Sequence, residues 1–189
     1  MSGNEHVLSG HNALRIEIVT TMEQLQHAYA VRAICFMEET GLPADHAFDG
    51  NDLQATHVVA YIHDEPVGAL RIRWFSNFAK IERSAFRKAY RHPRYLKMAA
   101  EFVFTHIARK GYARVITHAS PGYARLWRSV LGFTEVSGKP PAVYHDEPHV
   151  ELIKELTVPE SAITLATDPA VLFRTEGDWD RAAKHEQLH

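Results

Sequence analysis

The stretch from Ala85 to Ala119 reads "AFRKAYRHPRYLKMAAEFVFTHIARKGYARVITHA". Arg87, Lys88, Arg91, Arg94 and Lys97 put five cations into eleven residues, just ahead of and inside a helical pattern. A loop entering a helix gathers free N–H groups and the positive end of the helix dipole, which suits a phosphate. Glycines usually let the backbone close on such an anion. This loop has none, so guanidinium and ammonium side chains would have to do the clamping. A merely solvated basic loop is the plainer alternative. A second group is Arg32, on an otherwise apolar helical face, with Asp49 and Asp52 in the loop that follows. It reads either as a structural ion pair or as a substrate contact. Arg71, Glu82 and Arg83 fall on strands expected to be half-buried, where a charge needs a partner. Cys35 lies on the core face and reads as packing. His118 ends an apolar strand, where α/β sheets open their clefts, and reads as a satisfied core histidine.

Composition narrows the class of protein. With 189 residues, 46% hydrophobic and 23% charged, the chain suits one domain with a terminal appendage. A net charge of −2 argues against nucleic-acid binding by bulk electrostatics. One cysteine gives no internal disulfide framework and fits a reducing, cytoplasmic setting. No apolar run approaches a membrane span, and the start lacks the layout of a signal peptide. Thirteen histidines are scattered without HExxH or Cys/His spacing, so no metal is expected.

Several elements must position these residues. Residues 1–12 are polar and expected to be mobile. "ALRIEIV" alternates as a strand, and Thr20 or Thr21 caps the helix "MEQLQHAYAVRAICFMEET". "GLPADHAFDGNDLQA" is a loop or short helical turn. "THVVAYIH" and "VGALRIRWF" form a hairpin about "DEP", and "AKIERSAF" is a further strand. A helix spans Arg94–Lys110, "ARVITHA" is a buried central strand, and "SPGYARLWRSVLG" is a helix closed by Gly132. "FTEV" and "HVELIKEL" supply two last strands, with "SGKPPAVYHDEP" as their connector. The order β-α-β-β-β-α-β-α-β-β implies an α/β protein with a mixed sheet and helices on both faces.

Three segments carry a family resemblance over residues 13–156. They are "KIERSAFRKAYRHPRYLKMAAEFVFTHIARKGY", "ARVITHASPGYARLWRSVLGFTEV" and "DEPVGALRIR". In order and spacing they resemble the GNAT acyltransferase superfamily. "VRAICFMEETGLPADHAFDGNDLQATHVVAY" further resembles autoinducer (acyl-homoserine lactone) synthases and N-acyl amino acid synthases. That resemblance implies substrate-binding roles for Arg32, Phe36, Asp49, Asp52 and Arg71, with Arg83 and Glu82 near the chemistry. The subgroup's glutamate falls on Lys80 here, and Glu82 stands one place before Arg83.

The resemblance also implies a mechanism: direct attack of an amine on an acyl thioester. Backbone at Ser84, Ala85 and Phe86 would hold the donor between splayed strands. Arg91, Arg94, Tyr95 and Lys97 would hold its phosphate, the family's loop glycines being replaced by Arg94 and Leu96. The family's helix Tyr is replaced by Arg128, leaving Tyr123 or a water as the acid. The implied donor is acyl-CoA or acetyl-CoA, or acyl-phosphopantetheine on an acyl-carrier protein, and the implied acceptor is a small amino-acid-like amine. An ordinary acetyl-CoA-dependent enzyme and a donor-binding protein without turnover are the alternatives. Met98, Phe102, Ile72, Trp74, Val115 and Ile116 are expected to border an acyl tunnel, with affinity rising with chain length. Residues 157–189 are an irregular extension whose Val171, Leu172, Phe173 and Trp179 should cover the domain or, in a homodimer, a neighbouring subunit.

Overall fold

The computed structural model describes residues 13–182. Strand β1 (Arg15–Ile18) leads to helix α1 (Met22–Arg32), whose start is a reciprocal capping box. Thr21 Oγ1 accepts from the Gln24 N–H at 3.2 Å, and the Gln24 side chain accepts from the Thr21 N–H at 3.2 Å. The helix does not run on regularly as its pattern suggested. It widens into a π-helical segment, Ala33–Glu38, before the short α2 (Ala44–Ala47).

Strands β2 (Thr56–Ile62) and β3 (Glu65–Trp74) form the expected hairpin, with His63 and Asp64 both at positive φ in its turn. Then come β4 (Ala79–Phe86), α3 (Pro93–Arg109), β5 (Arg114–Ala119) and α4 (Pro121–Leu131). Gly132, at φ 70°, closes α4 in the left-handed conformation that a Cβ disfavours. The chain ends its sheet with β6 (Thr134–Glu135), β7 (Ala142–Tyr144) and β8 (Glu147–Glu155). The stretch read as a plain connector thus contains β7, which turns back onto β8 through His145 and Asp146, again both at positive φ.

The sheet order is β1-β2-β3-β4-β5-β8-β6, with β7 paired to β8. Every pairing is antiparallel except β4 with β5. Ala28 and Val31 of α1, with Cys35 of the π-helical segment, pack on Val59, Tyr61 and Ala69 on one face. Helices α3 and α4 cover the other, where Ile72, Ile81, Val103, Ile107, Val115 and Leu152 form the completely buried core. It is the mixed α/β sheet with helices on both faces that the element order implied. Among the described residues, no helix is long and apolar enough to cross a membrane.

Past Leu156 the chain runs back over α3 towards β1. Glu176 accepts from Lys110 Nζ at 2.9 Å and lies 3.3 Å from His106 Nε2; Trp179 stacks on the His106 ring at 5.3 Å. Gly177 lies so close to Ile18 that a Cβ would come within 2.8 Å of its side chain. Trp179 thus lies against α3. Leu172 and Phe173, at the end of α5 (Pro169–Leu172), are 51% and 77% exposed among the described residues. Residues 1–12, expected to be mobile, and the extension's last residues, 183–189, lie outside the described residues.

Candidate active site

The parallel pairing of β4 with β5 holds at only two residue pairs, Ala79 with Val115 and Lys80 with Ile116. One further tie follows, from Thr117 Oγ1 to the Ile81 carbonyl at 3.0 Å. The cause of the parting lies in β4. Between Ala69↔Ala85 and Arg71↔Glu82 it uses one residue more than β3 does, and Arg83 takes φ 52°. Such a bulge bends the strand and re-aims its side chains. From Glu82 onward, the backbone of β4 has no ladder partner on its β5 side. An open strand edge of this kind accepts an extended ligand by main-chain hydrogen bonding.

Two sets of side chains meet at this parting. The first is a closed charge network beneath α1. Arg32, fully buried, gives Nη1 to Asp52 at 2.7 Å and also reaches the Ala47 carbonyl. Arg71, equally buried, holds Asp49 at 2.6 and 2.8 Å, Asp52 at 2.8 Å and Glu82 at 2.7 and 2.9 Å. Lys80 Nζ takes the other Glu82 oxygen at 2.7 Å, and Arg83 Nη2 reaches Asp49 at 3.0 Å and the His46 carbonyl at 2.8 Å. Arg71 holds the Asp49 carboxyl well below the usual carboxylate range. Burial pushes Glu82 up, but Lys80 and Arg71 outweigh it and leave it below its ordinary value. Burial likewise works against the Arg71 charge, and its three carboxylates more than restore it. The sequence-expected residues Arg32, Asp49, Asp52, Arg71, Glu82 and Arg83 are thus brought into one cluster. Phe36, on the π-helical segment, is not among its hydrogen-bonded members.

The second set lines the parting itself. Among the described residues, Arg83 Nε, Ser84 Oγ and His118 Nδ1 are buried and hydrogen-bond to nothing. These orphans lie on β4 and β5 beyond their last paired residues, Arg32 Nε, His57 Nδ1 and Arg109 Nε being unpaired elsewhere, and an unpaired buried polar atom costs about 1–3 kcal/mol unless a ligand meets it. His118 shares a sheet face with Lys80 and Glu82, and its Nε2 lies 3.3 Å from Glu151 on β8. Burial, then the Lys80 charge, push the His118 imidazolium down, so the ring is neutral at neutral pH. The reading of His118 as a satisfied core histidine is therefore corrected: its side chain is 25% exposed and one nitrogen has no partner. The β7–β8 turn adds a wall that the sequence reading did not include. Tyr144 OH donates to the His46 carbonyl at 3.3 Å, the Arg83 guanidinium lies over the Tyr144 ring, and the His46 and His145 rings meet. Among the described residues, no three His, Cys, Asp or Glu side chains gather as a metal group.

The donor-side residues separate into held and free. Gly68 lets the Phe86 ring lie on β3, where a Cβ would come within 2.5 Å of it. Arg87 is paired with Glu65, and Arg91 with Glu39 and the Phe86 carbonyl. Lys97 lies 3.7 Å from Glu101, while Lys88 and Arg94 have no carboxylate partner among the described residues. The first turn of α3 has no free N–H to offer. Pro93 lacks one, Arg94 N–H goes to His92 Nδ1 at 3.2 Å, and the N–H groups of Tyr95 and Leu96 go to the His92 carbonyl. Tyr123, in the first turn of α4, is 63% exposed and has no hydrogen-bond partner among the described residues. Of the residues expected to border an acyl tunnel, Ile72 and Val115 are completely buried in the packed core and Met98 is exposed. A crevice of about 10 Å³ among Ile16, Val58, Ala60, Leu70, Phe86 and Ala99 has room for one water at most.

No family model matches the chain. A Bacillus subtilis (strain 168) protein named as a putative acetyltransferase is 26% identical over 145 residues, covering 75% of this chain and 97% of its own. A solved structure from Lactobacillus plantarum, described as a putative N-acetyltransferase, is 28% identical with a TM-score of 0.66, covering 77% of this chain and 99% of that one. FeeM, an N-acyl amino acid synthase from uncultured soil microbes, has a TM-score of 0.60 at 14% identity, covering 79% and 93%. A GNAT acetyltransferase from Elizabethkingia anophelis, solved with acetyl-CoA bound, has a TM-score of 0.57 at 14% identity, covering 76% and 98%. At 14% the likeness is one of fold. Fold and relatives together give this chain the fold of the GNAT acyltransferases and make it similar to proteins named as acetyltransferases.

Proposed function

We propose that the chain transfers a short acyl group from a coenzyme A thioester to the amine of a small, amino-acid-like acceptor. The observation that carries this reading is the parting of β4 from β5 at the Arg83 bulge, with three orphaned polar atoms around it. The thioester and its pantetheine arm would pair with the open edge of β4 at Ser84–Phe86. Preset backbone N–H groups there would stabilise the oxyanion as the amine attacks the carbonyl. The C–N bond forms, the C–S bond breaks, and the departing thiolate takes a proton, for which Tyr123 and water are the candidate sources. The donor's phosphates would rest on side chains, Lys88 and Arg94 foremost, because α3 offers no free backbone N–H in its first turn. Arg91, held by Glu39, would come second.

The acyl length follows from packing. Each buried methylene contributes about 0.8 kcal/mol only if an apolar space receives it. Here Ile72, Val103, Ile107 and Val115 already fill that space. A second reading is an autoinducer-synthase-like enzyme taking a longer acyl chain from a carrier protein. The assembly of Arg32, Asp49, Asp52, Arg71 and Arg83 into one cluster favours it, since these are the positions that subgroup uses. A donor series from acetyl-CoA to dodecanoyl-CoA, with the proteinogenic amino acids as acceptors, separates the two. The proposal expects kcat/KM to fall steadily beyond the shortest acyl groups. A maximum at eight or more carbons would give the second reading its place.

A further inference from the structure

We propose that His118, oriented by Glu151, takes the proton that the acceptor ammonium must lose before it can attack. The inference rests on the acyl-transfer reading above and names a base for it.

An amine that is protonated at neutral pH has no lone pair to offer, so a neighbouring group must accept a proton first. That group needs an unoccupied lone pair at the parting of β4 and β5. Glu82 has both oxygens engaged, by Lys80 and Arg71, and Asp49 has both engaged by Arg71 with Arg83. Lys80 and Arg83 are cations. Glu151 accepts from Lys139 at 2.7 Å on one oxygen and faces His118 with the other. His149 donates Nδ1–H to the Glu147 carbonyl at 3.1 Å and keeps its Nε2 lone pair, but it lies past the last β5–β8 pair, Ala119 with Val150, a strand away from the parting; His46 and His145 meet each other. His118 remains. It stands one residue beyond Thr117, whose hydroxyl reaches back to the Ile81 carbonyl of β4. When Nε2–H is donated to the Glu151 carboxylate, the imidazole lone pair falls on Nδ1, the nitrogen without a partner.

The step balances. The ammonium gives one proton to Nδ1, leaving a free amine and an imidazolium paired with Glu151. The amine attacks, and collapse of the tetrahedral intermediate expels the thiolate. The second proton on nitrogen passes to sulfur, giving amide and free thiol, and His118 returns its proton to solvent. The groups facing the ring set its titration. Lys80 on β4 and His149 on β8 oppose the imidazolium, Glu82 and Glu151 favour it, and burial opposes it most. The neutral base is present above the depressed pKa, so kcat/KM should rise through an acid limb lying below the usual histidine range.

The test uses the full chain with acetyl-CoA and the best amino-acid acceptor, following thiol release against pH. His118→Gln should lower kcat about 10²-fold or more and abolish the acid limb, with KM for acetyl-CoA unchanged. Glu151→Gln removes a charge that favours the imidazolium, so the limb should move to lower pH as kcat falls. Nitrogen NMR of wild-type histidines should find His118 neutral, with its proton on Nε2, at pH 7. A His118→Gln chain keeping over a tenth of kcat and the same limb overturns the proposal. So does an Nδ1–H tautomer, which decides the matter even if the variant fails to fold. Wild-type turnover with an unaffected variant sinks this inference alone, whereas a wild-type chain without turnover sinks the acyl-transfer reading as well.

Discussion

Two groups of polar side chains lie side by side in this molecule and are finished differently. In the network of Arg32, Asp49, Asp52, Arg71 and Glu82, all six carboxylate oxygens have a donor from the chain itself. At the parting of β4 and β5, Arg83 Nε, Ser84 Oγ and His118 Nδ1 have none among the described residues. Arg83 belongs to both, giving Nη2 to Asp49 while its Nε is left over. The first group is closed at its carboxylates, with Arg32 Nε left unpaired, and fixes the loop after α1 against the sheet. The second is incomplete, and completing it is what a ligand would do.

The largest effect expected from this contrast is on stability. Arg71→Ala leaves three carboxylates without their common partner in a nearly dry place, and should cost about 3–5 kcal/mol in urea unfolding. A loss below about 1 kcal/mol would mean that the network is not the fixed scaffold described. Ser84→Ala should do the opposite. It removes an unsatisfied hydroxyl, so stability should stay within about 0.5 kcal/mol of wild type or rise. Donor KM should climb roughly fivefold, the worth of one neutral hydrogen bond of about 1 kcal/mol. Equal damage to stability and no change in KM would place Ser84 with the closed group.

A smaller effect concerns Glu176, a third and more exposed cluster. His106 and then Lys110 hold its carboxyl down to about 2, against the opposing pull of burial. A depressed carboxyl contributes stability that is fully present above its ordinary pKa of 4.5 and is lost as pH falls to about 2. Because the side chain is 40% exposed, solvent screening limits that contribution to about 1 kcal/mol. The difference in unfolding free energy between wild type and Glu176→Gln should therefore shrink across that window. A difference that persists at pH 2 would show packing, not charge, at work. Smallest of all is the phosphate test. Arg94→Ala should weaken acetyl-CoA binding more at low salt than at high salt, and more than Lys97→Ala, whose charge already lies near Glu101. An equal loss for both would mean that the loop acts only as a diffuse basic surface.

Some turns were legible in the sequence and some only looked so. "HDEP" occurs twice, at His63–Pro66 and at His145–Pro148, and both times it turns a hairpin through a positive-φ His-Asp pair. The first copy was readable because alternating strands flank it. The second was hidden by Gly138, Pro140 and Pro141, which read as loop, so Tyr144 and His145 went unnoticed as a wall of the site. His118 was legible as a position at the end of a central strand. Its unpaired nitrogen was not, because that depends on Glu151, which reaches it only through the pairing of β5 with β8.

The sequence by itself determined the elements and their order, because periodicity, caps and turn residues act over a few neighbours. Thr21, His92, Gly132 and the apolar run of β5 each specify local structure without distant help. It also determined that Arg32 and Arg71 would need partners, since a buried guanidinium cannot go unpaired. Only the tertiary structure decided which partners. Residues up to 50 positions apart, Arg32 to Glu82, meet in one network, and Arg83 takes its left-handed φ where β4 carries one residue more than β3. The bulge, the parting it opens and the atoms left unpaired there depend on register between strands, and register is a property of the packed sheet and not of any one segment.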